Sequence, residues 1–317
     1  MKKVLVTATN YSLYCSEAKQ MLEAHDCEII ENKYGRPFTF AELRDVVSDV
    51  DAVVAGVDTW DEEVFKLAPQ LKVISRFGVG IDNIDLEKAR QYGIKVTNAK
   101  GMNANAVAEM TIGLLLGLLR NIPYLNNSLL HGNWDRLMGK ELRGTTVGLL
   151  GFGEIAQSVA KKLKGFDVNI CAFDKYPNHD KAAALGVTMM DFAEVLASSD
   201  IVSMLLPSFK ETYHIMGDKQ FAMMKDNAYF INTARGALVD EKALYGALTS
   251  RKLAGAAIDV FEIEPAPTTN PLFKLDNIIC TPHTAAETYE TYTAVSLETA
   301  QAIIDVLDGK VPGNLLN

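Results

Sequence analysis

The sequence predicts an α/β protein with two doubly wound parallel sheets, and three observations carry that expectation. Short apolar runs alternate with helix-like stretches from the N-terminus onward. A long helical segment interrupts the rhythm at about residue 103. The rhythm then restarts at Thr146 and continues almost to the last residues. Alternation of this kind builds parallel sheets covered by helices on both faces.

In the first half, apolar strands are expected to begin at Val4, Glu28, Ala52, Lys72 and Lys95, with helical stretches between them at 16–24, 40–47, 61–67 and 86–92. The segment from Asn103 to Arg120 reads as one long helix. Its apolar run, Met110 to Leu119, is too short to span a bilayer and is flanked by Glu109 and Arg120, so a buried helix is expected. Further strands are expected near Thr146, Asn169, Ile201, Ala228, Ala256 and Asn277. A last amphipathic helix, about 287–307, lies beyond the second sheet and is expected to cross back to the first domain. Pro265, Pro267 and Pro271 cluster in one loop.

The most informative stretch is Thr146-Val147-Gly148-Leu149-Leu150-Gly151-Phe152-Gly153-Glu154-Ile155-Ala156. An apolar strand runs through a Gly-x-Gly-x-x-Ala turn into a helix, and Asp174 follows at the end of the next apolar run. That is the layout of a dinucleotide-binding βαβ unit. Gly151 permits the tight turn, Gly153 lets the backbone approach a pyrophosphate, and Ala156 lets the helix pack close to the strand. The helix N-terminus attracts phosphate charge. Asp174 is placed to accept both adenosine ribose hydroxyls and to repel a 2′-phosphate, so NAD is expected over NADP, with Lys175 beside it working against that preference.

Composition sets the class. The chain has 317 residues, enough for about two domains, and is 48% hydrophobic, which supports large cores. Its net charge of −9 argues against nucleic acid or an anionic membrane as partner. An anionic substrate would then be held by local arginines and backbone donors. Cys15, Cys27, Cys171 and Cys280 show no metal or redox spacing, so reduced thiols, no metal and a cytoplasmic location are expected. Met1-Lys2-Lys3 leads into no long apolar targeting segment.

Three side chains of the second half are candidates for acid–base and anion chemistry. Arg235 follows the apolar run Tyr229–Ala234, Glu264 lies just past the apolar run that ends near Asp259, and His283 follows Ile278–Pro282. Each emerges where a strand ends, the edge at which open α/β sheets bind ligands.

Taken in order, several segments resemble the D-isomer-specific 2-hydroxyacid dehydrogenases, closest to the phosphoglycerate dehydrogenase branch. They are Arg76-Phe77-Gly78-Val79-Gly80-Ile81-Asp82, Asn103–Glu109, Gly148–Ala156, Asn232-Thr233-Ala234-Arg235-Gly236, Ala257–Phe261 with Glu264-Pro265, and Pro282-His283. The resemblance implies a Rossmann NAD-binding domain, about 99–286, inserted in a flavodoxin-like substrate domain made of 1–98 and 287–317. It implies an NAD-dependent enzyme acting on a small anionic 2-hydroxy or 2-oxo acid, most simply 3-phosphoglycerate in serine biosynthesis, and a homodimer. Glyoxylate/hydroxypyruvate reductase is the main alternative, and a non-catalytic NAD-sensing binding protein a distant one. His283 would be the acid–base group, Glu264 its orienting partner, and Arg235 the carboxylate ligand. Backbone donors of Gly78, Val79 and Gly80 would hold the same carboxylate. Glu154, Ile155, Asp174, Leu206, Pro207, Thr233 and Asp259 fall where relatives surround the cofactor, with Asp259 expected at the nicotinamide amide. Arg76 and Arg136 match phosphate-holding positions, Arg136 reaching the site from the partner subunit.

The chain also departs from the family pattern. Leu205 stands where a histidine is common, Ala285 where a glycine is, and Glu287 where a serine is. A third phosphate arginine is missing, since Gly56 stands there; Arg36 is the candidate substitute. With Asn317 as the last residue, the regulatory C-terminal domain of longer relatives is expected to be absent.

Overall fold

The computed structural model describes all 317 residues. They divide into two compact units, Met1–Asn103 with Glu287–Asn317, and Ala104–Ala286. The first boundary falls at Asn103 rather than at residue 98.

The first unit holds five parallel strands: β1 (Lys2–Val6), β2 (Cys27–Ile30), β3 (Ala52–Ala55), β4 (Val73–Arg76) and β5 (Lys95–Asn98). Their spatial order is β2-β1-β3-β4-β5, the flavodoxin-like order. Every residue of β3 and β4 is buried, as a sheet covered on both faces requires. Leu43, Trp60, Phe65 and Ile74 pack on one side. On the other, Val4, Val6, Tyr11 and Leu22 pack against Tyr292 and Ile303 of the helix Tyr289–Leu307. The helices begin where side chains cap them. Thr39 and Glu42 form a capping box, Asp61 accepts from the Glu63 and Val64 N–H groups, and Asp85 accepts from the Lys88 N–H.

The second unit holds seven parallel strands: β6 (Thr146–Leu150), β7 (Asn169–Phe173), β8 (Val187–Met189), β9 (Ile201–Met204), β10 (Ala228–Asn232), β11 (Leu253–Ile258) and β12 (Ile278–Cys280). The order is β12-β11-β10-β9-β6-β7-β8. The winding reverses between β6 and β9, which makes the crevice past their carboxyl ends the ligand site of a Rossmann sheet. β8 has no counterpart among the strands expected from sequence. It is a three-residue edge strand paired only to β7. The long helix spans Ala104–Leu119. Asn121, with φ at 55°, then turns the chain by 63° into a second helix, Ile122–Leu130. No single helix is long and apolar enough to cross a membrane.

Candidate active site

The Gly-x-Gly-x-x-Ala turn leaves the carboxyl end of β6. Gly151 has φ at 105°, and a Cβ there would lie 2.7 Å from the Leu205 carbonyl oxygen, so only glycine fits. Gly153 is the opposite case: its Cβ position faces open space, as a backbone approached by a phosphate must. Gly153 precedes the helix Glu154–Leu163, whose first turn carries Glu154, exposed, and Ile155, half-buried, while Ala156 packs inward. Asp174, at the end of β7, ties the turn together. One carboxylate oxygen accepts from the Phe152 N–H and the other from the Tyr176 N–H, each at 2.8 Å. Each oxygen retains a lone pair for a ribose hydroxyl. Lys175 stacks on Tyr176, 5.6 Å from the ring centre. Past β9, Leu206 is buried and Pro207 exposed; past β10, Thr233 is buried with its hydroxyl 2.9 Å from that of Thr111. Thr111 lies in mid-helix, and no sequence pattern marks it.

Arg235, Glu264 and His283 follow β10, β11 and β12, three neighbours in the sheet. Because the strands are parallel, all three emerge at the edge that carries Gly151 and Asp174. His283 Nδ1 lies 2.7 Å from Glu264 Oε2. The other carboxylate oxygen accepts from the Phe261 N–H at 2.9 Å, which fixes the acid from behind. Partial burial alone would raise the Glu264 carboxyl. The His283 hydrogen bond and charge, the Phe261 N–H and the Arg235 charge outweigh it and hold the group below the usual carboxylate range. Arg235 is half-buried, with Nη1 donating to the Ala234 carbonyl at 2.7 Å. Next to it, a Cβ on Gly236 would overlap the Phe261 and Glu262 backbone, so the loop carrying Glu264 rests directly on this glycine.

His283 has φ at 54°, an uncommon backbone for a residue with a side chain. Asp259 accounts for its persistence. The Asp259 carbonyl accepts from the His283 N–H at 2.7 Å. Its carboxylate accepts from the Thr284 and Ala285 N–H groups, both at 2.9 Å, and from the Thr281 hydroxyl at 2.5 Å. Asp259 is fully buried. Asp259, expected at the nicotinamide amide, holds the His283 loop. Ala285, at the family's glycine position, is buried against that network. Cys280 is no reactive thiolate: burial, then the Glu241 charge, push its thiol up to about 12. No group of three His, Cys, Asp or Glu side chains is placed to hold a metal ion.

In the first unit, the loop after β4 also revises the expectations. Gly78, with φ at 142°, donates its N–H to the Arg76 carbonyl at 2.8 Å, so that donor is engaged within the loop. The Val79 carbonyl accepts from Asn98 Nδ2, and Gly80 is half-buried. Arg76 is 8% exposed; its Nη1 donates to the Phe77 carbonyl and lies 2.9 Å from where a Cβ on Gly78 would be. Arg36, the candidate substitute phosphate ligand, forms an exposed two-pronged pair with Glu42 at 2.6 and 2.9 Å. At Gly56 a Cβ would come within 3.1 Å of the Thr7 carbonyl oxygen, a tight approach. In the second unit, Arg136 is exposed in a segment, 133–142, without regular secondary structure.

Comparison with known proteins matches residues 112–285 to the family described as D-isomer specific 2-hydroxyacid dehydrogenase, NAD binding domain. The chain belongs to the D-isomer-specific 2-hydroxyacid dehydrogenase family. Its cofactor is accordingly NAD, and the open Gly153 turn, the capped Asp174 and the helix start behind them fit that molecule. Among the relatives of this dehydrogenase-family chain, a D-3-phosphoglycerate dehydrogenase of Methanocaldococcus jannaschii is 42% identical over 321 residues, covering all of this chain and 60% of that protein. A glyoxylate reductase of Thermofilum pendens is 41% identical, covering 93% of this chain and 89% of the relative. The crystal structure of the TT0316 protein of Thermus thermophilus superposes with a TM-score of 0.91 at 32% identity, covering 99% of this chain and all of that one. The chain spans 53% and 60% of the length of two curated phosphoglycerate dehydrogenase relatives.

Proposed function

We propose that this chain is an NAD-dependent D-2-hydroxyacid dehydrogenase that interconverts a small D-2-hydroxy acid and its 2-oxo acid. The observation that carries this reading is the 2.7 Å pair between His283 Nδ1 and Glu264 Oε2, beside Arg235 and on the same sheet edge as the Gly151 turn. When bound, the nicotinamide supplies or takes the hydride. The protein's part is proton transfer and charge. A carboxylate on Nδ1 fixes the tautomer and leaves Nε2 to give a proton to, or take one from, the C2 oxygen. Arg235 would bind the substrate carboxylate through its planar fork. A screen of NADH oxidation with phosphohydroxypyruvate, hydroxypyruvate, glyoxylate, pyruvate and branched 2-oxo acids tests this. No turnover with any of them would leave the NAD-sensing binding protein as the reading.

A phosphorylated substrate, 3-phosphoglycerate with its oxo partner and hence serine biosynthesis, is supported by the names of two relatives. An unphosphorylated acid such as glyoxylate or hydroxypyruvate is favoured by a specific observation. Arg36 is paired, Arg76 is buried under its own loop, and position 56 is a glycine.

A homodimer is supported by several exposed apolar side chains between residues 122 and 138. Ile122, Leu130, Trp134 and Met138 are 55%, 76%, 81% and 93% exposed, large apolar side chains that a subunit interface would cover. Four free cysteines fit a cytoplasmic location.

A further inference from the structure

Behind the His283–Glu264 pair lies a second imidazole and two more carboxylates. The Glu241 N–H donates to Glu262 Oε1 at 2.8 Å, and the Glu262 N–H donates back to Glu241 Oε1 at 2.7 Å. Asn270 Nδ2 holds the other Glu241 oxygen at 2.8 Å. His214 Nε2 is buried and 3.3 Å from Glu262 Oε1, within ion-pair distance but with no hydrogen bond between them. His214 itself sits in a left-handed backbone conformation, φ 49°, with its ring stacked 3.9 Å from that of Tyr213. Its N–H donates to the Ala237 carbonyl at 2.9 Å, and Met216 forms a bridge with Val239 just beyond.

These bonds join three loops. The loop after β9 carries His214, the loop after β10 carries Arg235 and leads to Glu241, and the loop after β11 carries Glu262 and Glu264. The first is bonded to the second through the His214 N–H, the second to the third through the Glu241–Glu262 bonds and the close backbone contact at Gly236, and the first approaches the third at His214 and Glu262. Glu264 is two residues from Glu262 on a segment with no helix or strand of its own. What grips Glu262 therefore adds to the Phe261 N–H and the Gly236 contact in setting the position of Glu264.

We propose that His214, Glu241 and Glu262 are positioning residues for the reaction: they fix the loop that aims Glu264 at His283 Nδ1 and keep Arg235 in register with it. None of the three needs to touch substrate. Their effect passes through the 2.7 Å Glu264–His283 bond. A base displaced by even about 1 Å loses on the order of a hundredfold in rate, so a loosened grip registers in turnover before it registers in binding. The inference rests on the dehydrogenase reading above.

The test uses the whole chain. Glu262→Gln keeps the shape and removes the charge, and His214→Asn keeps a residue that tolerates the left-handed backbone. Each variant is expected to lower kcat by about tenfold, with KM for the 2-oxo acid and NADH affinity within about twofold. The double variant is expected to fall no further than the worse single one, because both act through one grip. A readout without turnover is the imidazole 15N spectrum of His283, which reports the bond to Glu264. It should move in Glu262→Gln and recover in Glu262→Asp if the charge regains His214. Variants with wild-type kcat and an unmoved His283 spectrum, changed only in melting temperature, would overturn the inference. Wild-type protein inactive on every acid of the screen would instead overturn the dehydrogenase reading, and the His283 spectrum would still decide the positioning.

Discussion

His283 is the residue on which most depends. Removing a positioned general acid–base costs about 10²–10⁴ in rate, so His283→Ala should lose turnover while NADH binding, followed by fluorescence, stays nearly intact. Glu264 offers a check through pH. Its folded carboxyl lies below the ordinary range, so the pair's stabilisation is fully present above the unfolded value, about 4.3, and is lost as pH falls through the lower folded value. Glu264→Gln should therefore melt below wild type at neutral pH, and the two curves should converge in acid. Equal melting temperatures at neutral pH would show that the pair adds no stability. Asp174 sets cofactor choice. With both oxygens braced by backbone N–H groups, it cannot swing away from a 2′-phosphate. A preference for NAD(H) over NADP(H) of about tenfold or more is expected, since bonds to charged groups are worth roughly 1.5–3 kcal/mol. Asp174→Ala should narrow it through KM; equal efficiency with both cofactors in wild type would contradict the assignment.

At the scale of elements, the turn after β6 is the most constrained piece. Gly151→Ala adds both an unfavourable φ and a contact with the Leu205 carbonyl. Strained backbone of this kind costs roughly 1–3 kcal/mol, and urea unfolding should show a loss of at least that size. What sequence made legible at this scale follows period and chemistry. Each strand that is an apolar run, such as Val4–Val6 or Leu149–Leu150, stood out, and so did the residues that end such runs: Asp174, Arg235 and His283. β8 did not, because Val187-Thr188-Met189 is a short edge strand with a polar middle. The long helix was legible, but its bend at Asn121 depends on one left-handed residue. The tasks of Asp259, Gly236 and His214 were hidden for a different reason. Each is defined by a partner brought near only by the fold, and no spacing in the chain encodes that Asp259 caps the backbone around His283. Arg76, matched by position to a phosphate site, lies buried with Nη1 donating to the Phe77 carbonyl, an arrangement its spacing in the chain does not show.

For the molecule as a whole, two measurements matter. The efficiency ratio of phosphohydroxypyruvate to hydroxypyruvate chooses between the two substrate readings. Two working arginines would give about tenfold or more in favour of the phosphorylated acid; the engaged state of Arg36 and Arg76 leads us to expect a ratio nearer one. Sedimentation should show a dimer at micromolar concentration, and Trp134→Glu with Met138→Glu should yield monomer with its circular dichroism unchanged. A wild-type monomer would show that these exposed apolar side chains serve another purpose.

The division of the chain has a consequence for its synthesis. The second unit is one uninterrupted stretch, Ala104–Ala286, and can fold as it leaves the ribosome. The first unit cannot. Its five strands are made early, yet the helix Tyr289–Leu307 that packs against Val4, Val6 and Tyr11 is made only after the whole second unit. Throughout translation of the middle of the chain, one face of the nascent sheet is covered only by the segment around Tyr11 and Leu22 and is open to wrong pairing. Nascent chains stalled before residue 289 should bind a holdase chaperone and be cut by protease within residues 1–103, while residues 104–286 resist.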